Sequence, residues 1–551
     1  MPAQDPPLTA HPAMDYERLG EPPARLWPWP RACSRGSTAL FGTAALLSAS
    51  LLLPRQRAAV LPLRGASGRT AQGPSDKLGA GSRFWAEGVS GREACLNPMV
   101  SVGAFRVSEG GEAIAAWEKE LDGWQLLQAT DMQRHADRWL YRHDNIGNDC
   151  WPAQINSSDG RLASQCDFNR SSIWSAFKHE ADPYAAPLKG HCDLMQITVS
   201  GLEHSRRLGE IFRAEYGEDG RHPLGGLGGR GCARGSVLLF SDAVQKNERT
   251  AEEVYRGLCG RPPALGEFPA EAVLADGGSS VRRGSPFWLR PGVCGGEEFA
   301  AYAREAAAAQ EASGSYVREA QVLAAEAARL NRHALPTDAA DYRPFLSGLI
   351  DCAVCHACLG LDDVPSTLLN SQGAPDEHGI FGRMDRMETA GVLWPYIYFR
   401  SRNESAFIRY AQLHYGYYFV VLLDRMQAAI DTARSGPAAA GGSSPTFFVQ
   451  VMSDTNLSPQ LLMLGFAAAA AVRPQWLATL VTELWVRGSG PEAEFSVRTL
   501  YNGRVQRPCR GQSGALCPWS EFRTLLARFA PQRQSCQRFY DNFDPVSSLW
   551  H

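Results

Sequence analysis

The chain has no excess of charge of either sign: Lys and Arg number 55 against 58 Asp and Glu, and the formal net charge is −3 over 551 residues. Without a long basic field it lacks the sequence-independent attraction that nucleic-acid backbones exert, which excludes a nucleic-acid partner. It also has no internal repeat, which excludes a repeat array. Long apolar runs are scarce. Residues 37–53 (STALFGTAALLSASLLL) form an uncharged run flanked by Arg31 and Arg35 on one side and by Arg55 and Arg57 on the other. Its length is at the short end of the ~17 to 25 residues that a spanning helix needs. A polar, Pro-rich stretch of residues 1–36 precedes it. That favours an uncleaved type II signal anchor over a cleaved signal peptide, whose charged leader is short. A plastid transit sequence stays open as a further alternative.

Cysteine, by contrast, is plentiful. Fourteen are present, scattered through the chain beyond residue 90 except for Cys33. This pattern points to disulfides and an oxidising lumen. The sequons at Asn156, Asn169 and Asn403 point to the same compartment. Residues 1–36 then read as a cytosolic tail, 37–53 as the anchor, 54–83 as a flexible Gly/Ala/Ser/Arg stalk and 84–551 as the folded part.

Within the folded part, 124–132 (WQLLQATDM), 236–240 (SVLLF) and 446–452 (TFFVQVM) predict strands, and 477–486 with 495–501 predicts a closing hairpin around Gly488. Helical spacing over 201–216 and 251–258 separates the strands, so the fold class is α/β. The middle is mostly helical: 297–333 is Ala- and Glu-rich, and 410–434 reads as one long helix. Pro459 is expected at the first position of a helix that runs to residue 472, with Ser458 as its cap.

Arg134-His135-x-x-Arg138 at the end of the first strand puts an imidazole between two guanidiniums. Attack on a phosphate needs that set: forked donors for the nonbridging oxygens and a neutral ring nitrogen for phosphorus. On its own the motif reads equally as a solvated loop with two surface arginines. Arg249 follows the second strand, where a parallel sheet delivers side chains to the same crevice, although most arginines in such places are structural. Asp454 follows the third strand and reads either as part of a plain strand-to-helix turn or as a general acid beside a helix N-terminus.

Order and local text favour the chemical readings. Arg134-His135-Ala136-Asp137-Arg138, residues 192–201 (CDLMQITVSG), Asn247-Glu248-Arg249-Thr250 and Ser453-Asp454-Thr455-Asn456-Leu457-Ser458-Pro459 are followed by Glu483-Leu484-Trp485, residues 496–503 (SVRTLYNG) and Cys517-Pro518. Taken in this order they resemble the histidine acid phosphatases, most closely their Golgi phosphoxylose-phosphatase subgroup. The resemblance implies a phosphoglycerate-mutase-like three-layer α/β core with a helical cap at about residues 260–435. It implies no cofactor, and a phosphorylated sugar or another small phosphomonoester as substrate. His135 is then the transiently phosphorylated nucleophile, Asp454 the proton donor, and Arg134, Arg138, Arg249 and Ser453 the phosphate-binding set. The expected setting is a Golgi or other secretory-pathway membrane with the catalytic part lumenal.

Two positions depart from the family pattern. Ser453 stands where the family has a phosphate-binding histidine, and Ala136 stands where it has glycine. Ser453 motivates an alternative from another class, a pseudophosphatase that binds phosphorylated glycans or proteins without turnover. An inositol-polyphosphate phosphatase is a further alternative. It needs a basic pocket beyond the three arginines, and no extra Lys/Arg cluster lies near the motifs. The spacing of Cys352, Cys355, His356 and Cys358 suits a metal, but in a lumenal protein it favours disulfides.

Overall fold

The apolar and aromatic runs form strands because both sides of each can be covered by helices. β1 (Gln125–Arg134), β4 (Val237–Ser241) and β5 (Phe447–Met452) are almost wholly buried. They lie parallel in the order β4–β5–β1, with Ala129 opposite Phe447 and Arg134 opposite Met452. The carboxyl ends of β1 and β5 therefore share one edge, and His135 and Ser453 follow directly from it.

On the other side of β1 the sheet is antiparallel. β6 (Thr479–Arg487) pairs with β1, β7 (Glu494–Tyr501) with β6, and β8 (Arg504–Gln506) and β9 (Cys517–Pro518) with β7. A separate ribbon joins β2 (Leu227–Gly228) to β3 (Gly231–Cys232).

The structure, a computed structural model, describes residues 95–106, 117–138, 196–228, 231–233, 235–241, 245–263, 294–331, 346, 348, 350, 351, 354, 355, 380–435, 445–509, 514–537 and 540. They belong to one unit, Met1–Trp27 with Ser82–His551; a second unit, Pro28–Gly81, lies outside them. The expected tail, anchor and stalk, the sequons at Asn156 and Asn169, and Cys352, His356 and Cys358 are likewise outside the described residues. No helix among the described residues is long and apolar enough to cross a membrane.

Strand alternation splits the core in two. Ala129, Val449 and Val451 pack in one cluster with α2 (Val199–Tyr216) and α3 (Gln245–Cys259), and Met99 and Val100 of α1 (Pro98–Val102) join it. Met132, Phe448 and Met452 pack on the opposite face. The middle of the chain supplies α4 (Glu297–Ser313), α5 (Ser315–Asn331), α6 (Ile380–Arg402), α7 (Glu404–Ala411) and α8 (Tyr417–Ser435). Residues of α8, of α9 (Asp454–Met463) and α10 (Ala467–Ala470), and of α11 (Trp519–Ala527) complete the second cluster.

Several expected boundaries move. The stretch 297–333 is two helices, because Gly314 turns left-handed at φ 61° between α4 and α5. The single helix expected over 410–434 is interrupted by a π-helical turn, Gln412–Gly416, between α7 and α8. Pro459 does not open its helix. α9 starts at Asp454 with Ser453 as the capping residue, so Pro459 sits inside it, and Gly465 at φ 91° ends the helical path before α10. Disulfides join Cys232–Cys259, Cys294–Cys536 and Cys509–Cys517, whereas Cys355 is a buried free thiol, contrary to the disulfide expected for its cluster.

The interior holds two polar features of opposite quality. Glu483 on β6 is fully buried and satisfied: Arg498 donates to both its oxygens, Tyr216 Oη donates at 2.7 Å and Trp485 Nε1 at 3.0 Å. Asp131 on β1 is also fully buried, in register between Val449 and Val481, yet neither carboxyl oxygen has a hydrogen-bond partner. Burial pushes its pKa well above the usual value. The folded state therefore binds a proton that the unfolded chain releases near pH 4, and Asp131 costs progressively more stability as pH rises from there towards the folded pKa. Asp131→Val is expected to stabilise the fold by ~1–3 kcal/mol at neutral pH, and by less in acid. Denaturant melts of the two proteins at two pH values check this; a destabilised variant at neutral pH contradicts it.

Candidate active site

The loop after β1 is fixed from several directions. His135 N donates to Met452 O at 2.9 Å, and Leu477 N donates to His135 O at 3.2 Å. Ala136 N donates to Thr250 Oγ1 on α3 at 3.1 Å. Thr198, which caps α2, donates its N–H to Asp137 O at 3.1 Å. Gly201 in the first turn of α2 lets that helix approach so closely that a Cβ there would lie 2.4 Å from Asp137 O. The Asp137 carboxylate accepts from His204 Nδ1 at 2.9 Å and from Ser200 Oγ at 3.4 Å. His204 is thus a supporting residue of this loop. Ala136 is not among the residues with positive φ, so the alanine in place of glycine carries no backbone strain. Leu477 does sit at φ 60°, and it is held there by its bond to His135 and by Asn97 Nδ2 donating to its carbonyl at 2.7 Å.

His135 is buried, and its Nδ1 lies 2.8 Å from Ala136 O. A carbonyl can only accept, so Nδ1 carries the hydrogen and Nε2 keeps its lone pair. Burial, followed by the cations of Lys246, Arg134 and Arg138, holds the imidazole pKa well below its ordinary value. The ring stays neutral, and therefore nucleophilic, in mildly acidic solution.

Arg134 is 1% exposed; its Nη1 donates to Pro474 O at 2.5 Å and its Nη2 contacts Asp454 Oδ2 at 3.0 Å. Arg473 Nε donates to the same Oδ2 at 2.9 Å, while Asp454 Oδ1 accepts from Thr455 N at 3.0 Å. Burial alone would raise the Asp454 pKa, but the two guanidiniums outweigh it and hold the group well below the usual carboxylate range. His135 contributes in the same direction, which places the carboxylate within electrostatic reach of the imidazole. Asp454 in this state is an anion, not an acid with a proton to give.

Arg138 forms a two-pronged pair with Asp351, Nη1 to Oδ2 at 3.1 Å and Nη2 to Oδ1 at 2.5 Å. Buried Cys355 lies 4.0 Å from both partners. Two further carboxylates, both on α6, approach Arg473 Nη1: Glu388 at 3.4 Å and Asp385 at 3.8 Å. Burial raises the Asp385 pKa to about 6 despite Arg473.

Arg249 falls in the second turn of α3, because that helix begins at Gln245 and not, as expected, at 251. Its guanidinium pairs with Glu252 at 2.5 Å and with Glu253 at 3.8 Å on the same helix. Lys246, one turn earlier, is the cation that acts most strongly on His135. Ser453 caps α9 through its backbone and makes no capping bond with its hydroxyl. The structure places Arg134, His135, Arg138 and Asp454 in one neighbourhood, with Lys246, Arg473, Asp351, Asp385 and Glu388 beside them. Among the described residues no group of three or more His, Cys, Asp or Glu is arranged to hold a metal ion.

No family model matches the chain, and no curated protein matches its sequence. Among solved structures, the chain is similar to a Hafnia alvei phytase in complex with myo-inositol hexakis sulphate (15% identity, 74% of this chain and 98% of that one, TM-score 0.43). It is similar to a Klebsiella sp. ASR1 phytase (15%, 74% and 96%, TM-score 0.43). It is also similar to a Bifidobacterium longum multiple inositol polyphosphate phosphatase (11%, 78% and 98%, TM-score 0.41). At these identities and TM-scores the likenesses carry no chemistry, which has to be read from the residues themselves.

Proposed function

We propose that this protein is a phosphoric monoester hydrolase of the histidine acid phosphatase type, with His135 as nucleophile. The observation that carries the reading is an imidazole tied by Nδ1 to Ala136 O, with the cations of Lys246, Arg134 and Arg138 acting on it and favouring its neutral form. That arrangement suits attack on an anionic phosphorus centre, since the cations draw in the phosphoryl oxygens and keep the nucleophile unprotonated. Arg249 lies one turn beyond Lys246 on α3, paired with Glu252 and Glu253, and is proposed as a further phosphate-binding cation.

In the reaction, His135 Nε2 forms a bond to phosphorus as the bond to the ester oxygen breaks and its electron pair leaves with the alcohol oxygen. The proton that oxygen needs is delivered by Asp454, which first takes it from the acidic hydroxyl of the phosphate monoanion. Entry of the phosphoryl group makes this transfer feasible, because it competes for the guanidiniums that otherwise hold Asp454 ionised. Water then attacks the phosphohistidine, Asp454 accepts its proton, the N–P bond breaks and the imidazole is restored.

The seat suits a single phosphoryl group. Arg134, Arg138, Lys246 and Arg473 are set against Asp351, Asp454, Asp385 and Glu388, so the cations that could have served a polyphosphate are balanced by carboxylates from the cap and from α9. A phosphorylated sugar, such as a glycan-linked xylose phosphate, suits that balance, and an inositol polyphosphate is the alternative substrate. The disulfides fit an oxidising compartment, and with residues 37–53 as a type II anchor the setting we propose is the lumen of the Golgi or another secretory membrane.

One observation favours a second reading. Asp351 and Asp454 already pair with Arg138 and Arg134, and Asp454 is held as an anion without a proton to give, which suits a pseudophosphatase that does not turn substrate over. Phosphate release by the purified protein between about pH 4 and 7, compared with His135→Ala, separates the two. Release that depends on His135 supports hydrolysis; equal rates in both proteins support the binding role.

A further inference from the structure

We propose that Arg473 is a phosphate-binding residue, filling the place that a histidine at position 453 would occupy and exchanging Asp454 for a phosphoryl oxygen when substrate enters. The inference rests on the hydrolase reading above and goes beyond it, because neither the motif order nor the spacing points to this arginine.

Three observations support it. First, Arg473 and Arg134 converge on one atom: Asp454 Oδ2 accepts from Arg473 Nε at 2.9 Å and contacts Arg134 Nη2 at 3.0 Å. Two guanidiniums on one oxygen mark a point where an anion is already bound. Second, the loop that carries Arg473 belongs to the nucleophile's own surroundings. Pro474 O accepts from Arg134 Nη1 at 2.5 Å, and Leu477 N donates to His135 O at 3.2 Å. Third, the side chain at 453 is short, whereas Arg473 is only 8% exposed and within electrostatic range of both Arg134 and Arg138. An arginine also offers forked donors, where a serine hydroxyl offers one.

The groups facing Asp454 account for the exchange. They are Arg134 and His135 from the β1 end, Arg473 from the loop before β6, Thr455 N from α9 and Asp385 from α6, with Glu388 of α6 on Arg473. When Arg473 turns from Asp454 to the phosphoryl group, Glu388 and Asp385 remain beside its Nη1, at 3.4 Å and 3.8 Å in the present state, and steady it. Asp454 meanwhile loses one of the cations that keep it ionised.

The test uses the full chain, with inorganic phosphate as ligand and p-nitrophenyl phosphate as substrate. Arg473→Met is expected to lower kcat/KM by about 10²-fold and to weaken phosphate binding about tenfold, while Ser453→His added to that variant restores most of both. Arg473→Lys is expected to keep the fold and bind phosphate at an intermediate level, so the proposal remains readable if the methionine variant does not fold. Phosphate affinity unchanged in a folded Arg473→Met or Arg473→Lys protein overturns it, as does a double variant that recovers nothing. If the wild-type protein releases no phosphate from any ester, the hydrolase reading fails, yet phosphate binding to the same variants still decides whether Arg473 is a ligand.

Discussion

Arg134→Ala is expected to lower kcat/KM by at least ~10²–10³, the loss typical of removing one preorganised donor from a developing negative charge. The expectation is strong because this guanidinium is buried at 1% exposure and joins three parts of the site: its residue ends β1, and it holds Pro474 O at 2.5 Å and contacts Asp454 Oδ2 at 3.0 Å. Arg134→Lys is expected to fail almost as badly. One ammonium cannot hold a carbonyl, a carboxylate and a phosphoryl oxygen in the planar fork that the guanidinium provides. Steady-state kinetics with a thermal melt of each variant check this. A lysine variant within threefold of wild type would mean that Arg134 supports the loop without touching phosphate.

The second large effect is on stability. Arg498→Ala leaves Glu483 charged and unpaired at zero exposure, which is expected to cost ~3–5 kcal/mol. Burial would raise the Glu483 pKa, but Arg498 overcomes it and holds the group below its usual value. The folded pKa is depressed, so the pair's contribution is present above the unfolded pKa near 4.3 and is lost as pH falls from there through the lower folded pKa. Replacing both partners, as in Glu483→Leu with Arg498→Met, is expected to be far milder than Arg498→Ala alone, because no charge is then stranded. Tyr216 Oη and Trp485 Nε1 lose an acceptor in the double variant, which limits its gain. Denaturant titrations give the comparison; a double variant as unstable as the single one would show that the pair stabilises on balance.

The parts of the site legible in the sequence are those set by short-range pattern. A strand ending in Arg134 and His135, and another ending at Ser453 and Asp454, are visible because apolar runs stop at polar residues, and a parallel pair brings such ends together. Arg473 and Asp351 leave no comparable trace. Their partners are set by the tertiary fold and not by local pattern: Arg138 is 213 positions before Asp351, and Arg473 reaches Asp454 19 positions back and Glu388 85 positions back. Nothing local in a helical cap marks which of its acids will face a guanidinium. Lys246 escapes notice for a different reason: the Gln245 start of α3 has no apolar periodicity of its own, so the pattern marks a helix only from 251, and neither Lys246 nor Arg249 reads as helical. Pro459 carries a similarly ambiguous signal, since a proline suited to a first turn is tolerated here in the second, inside α9.

Everything said of the chemistry depends on a covalent bond between His135 and phosphorus, and rapid acid-free quenching of the full chain with a radiolabelled phosphomonoester tests it most directly. The label is predicted on the peptide that contains His135, stable in base, lost in acid, and missing from His135→Ala. Turnover by His135→Ala at the wild-type rate, or a label carried by another residue, would contradict the account.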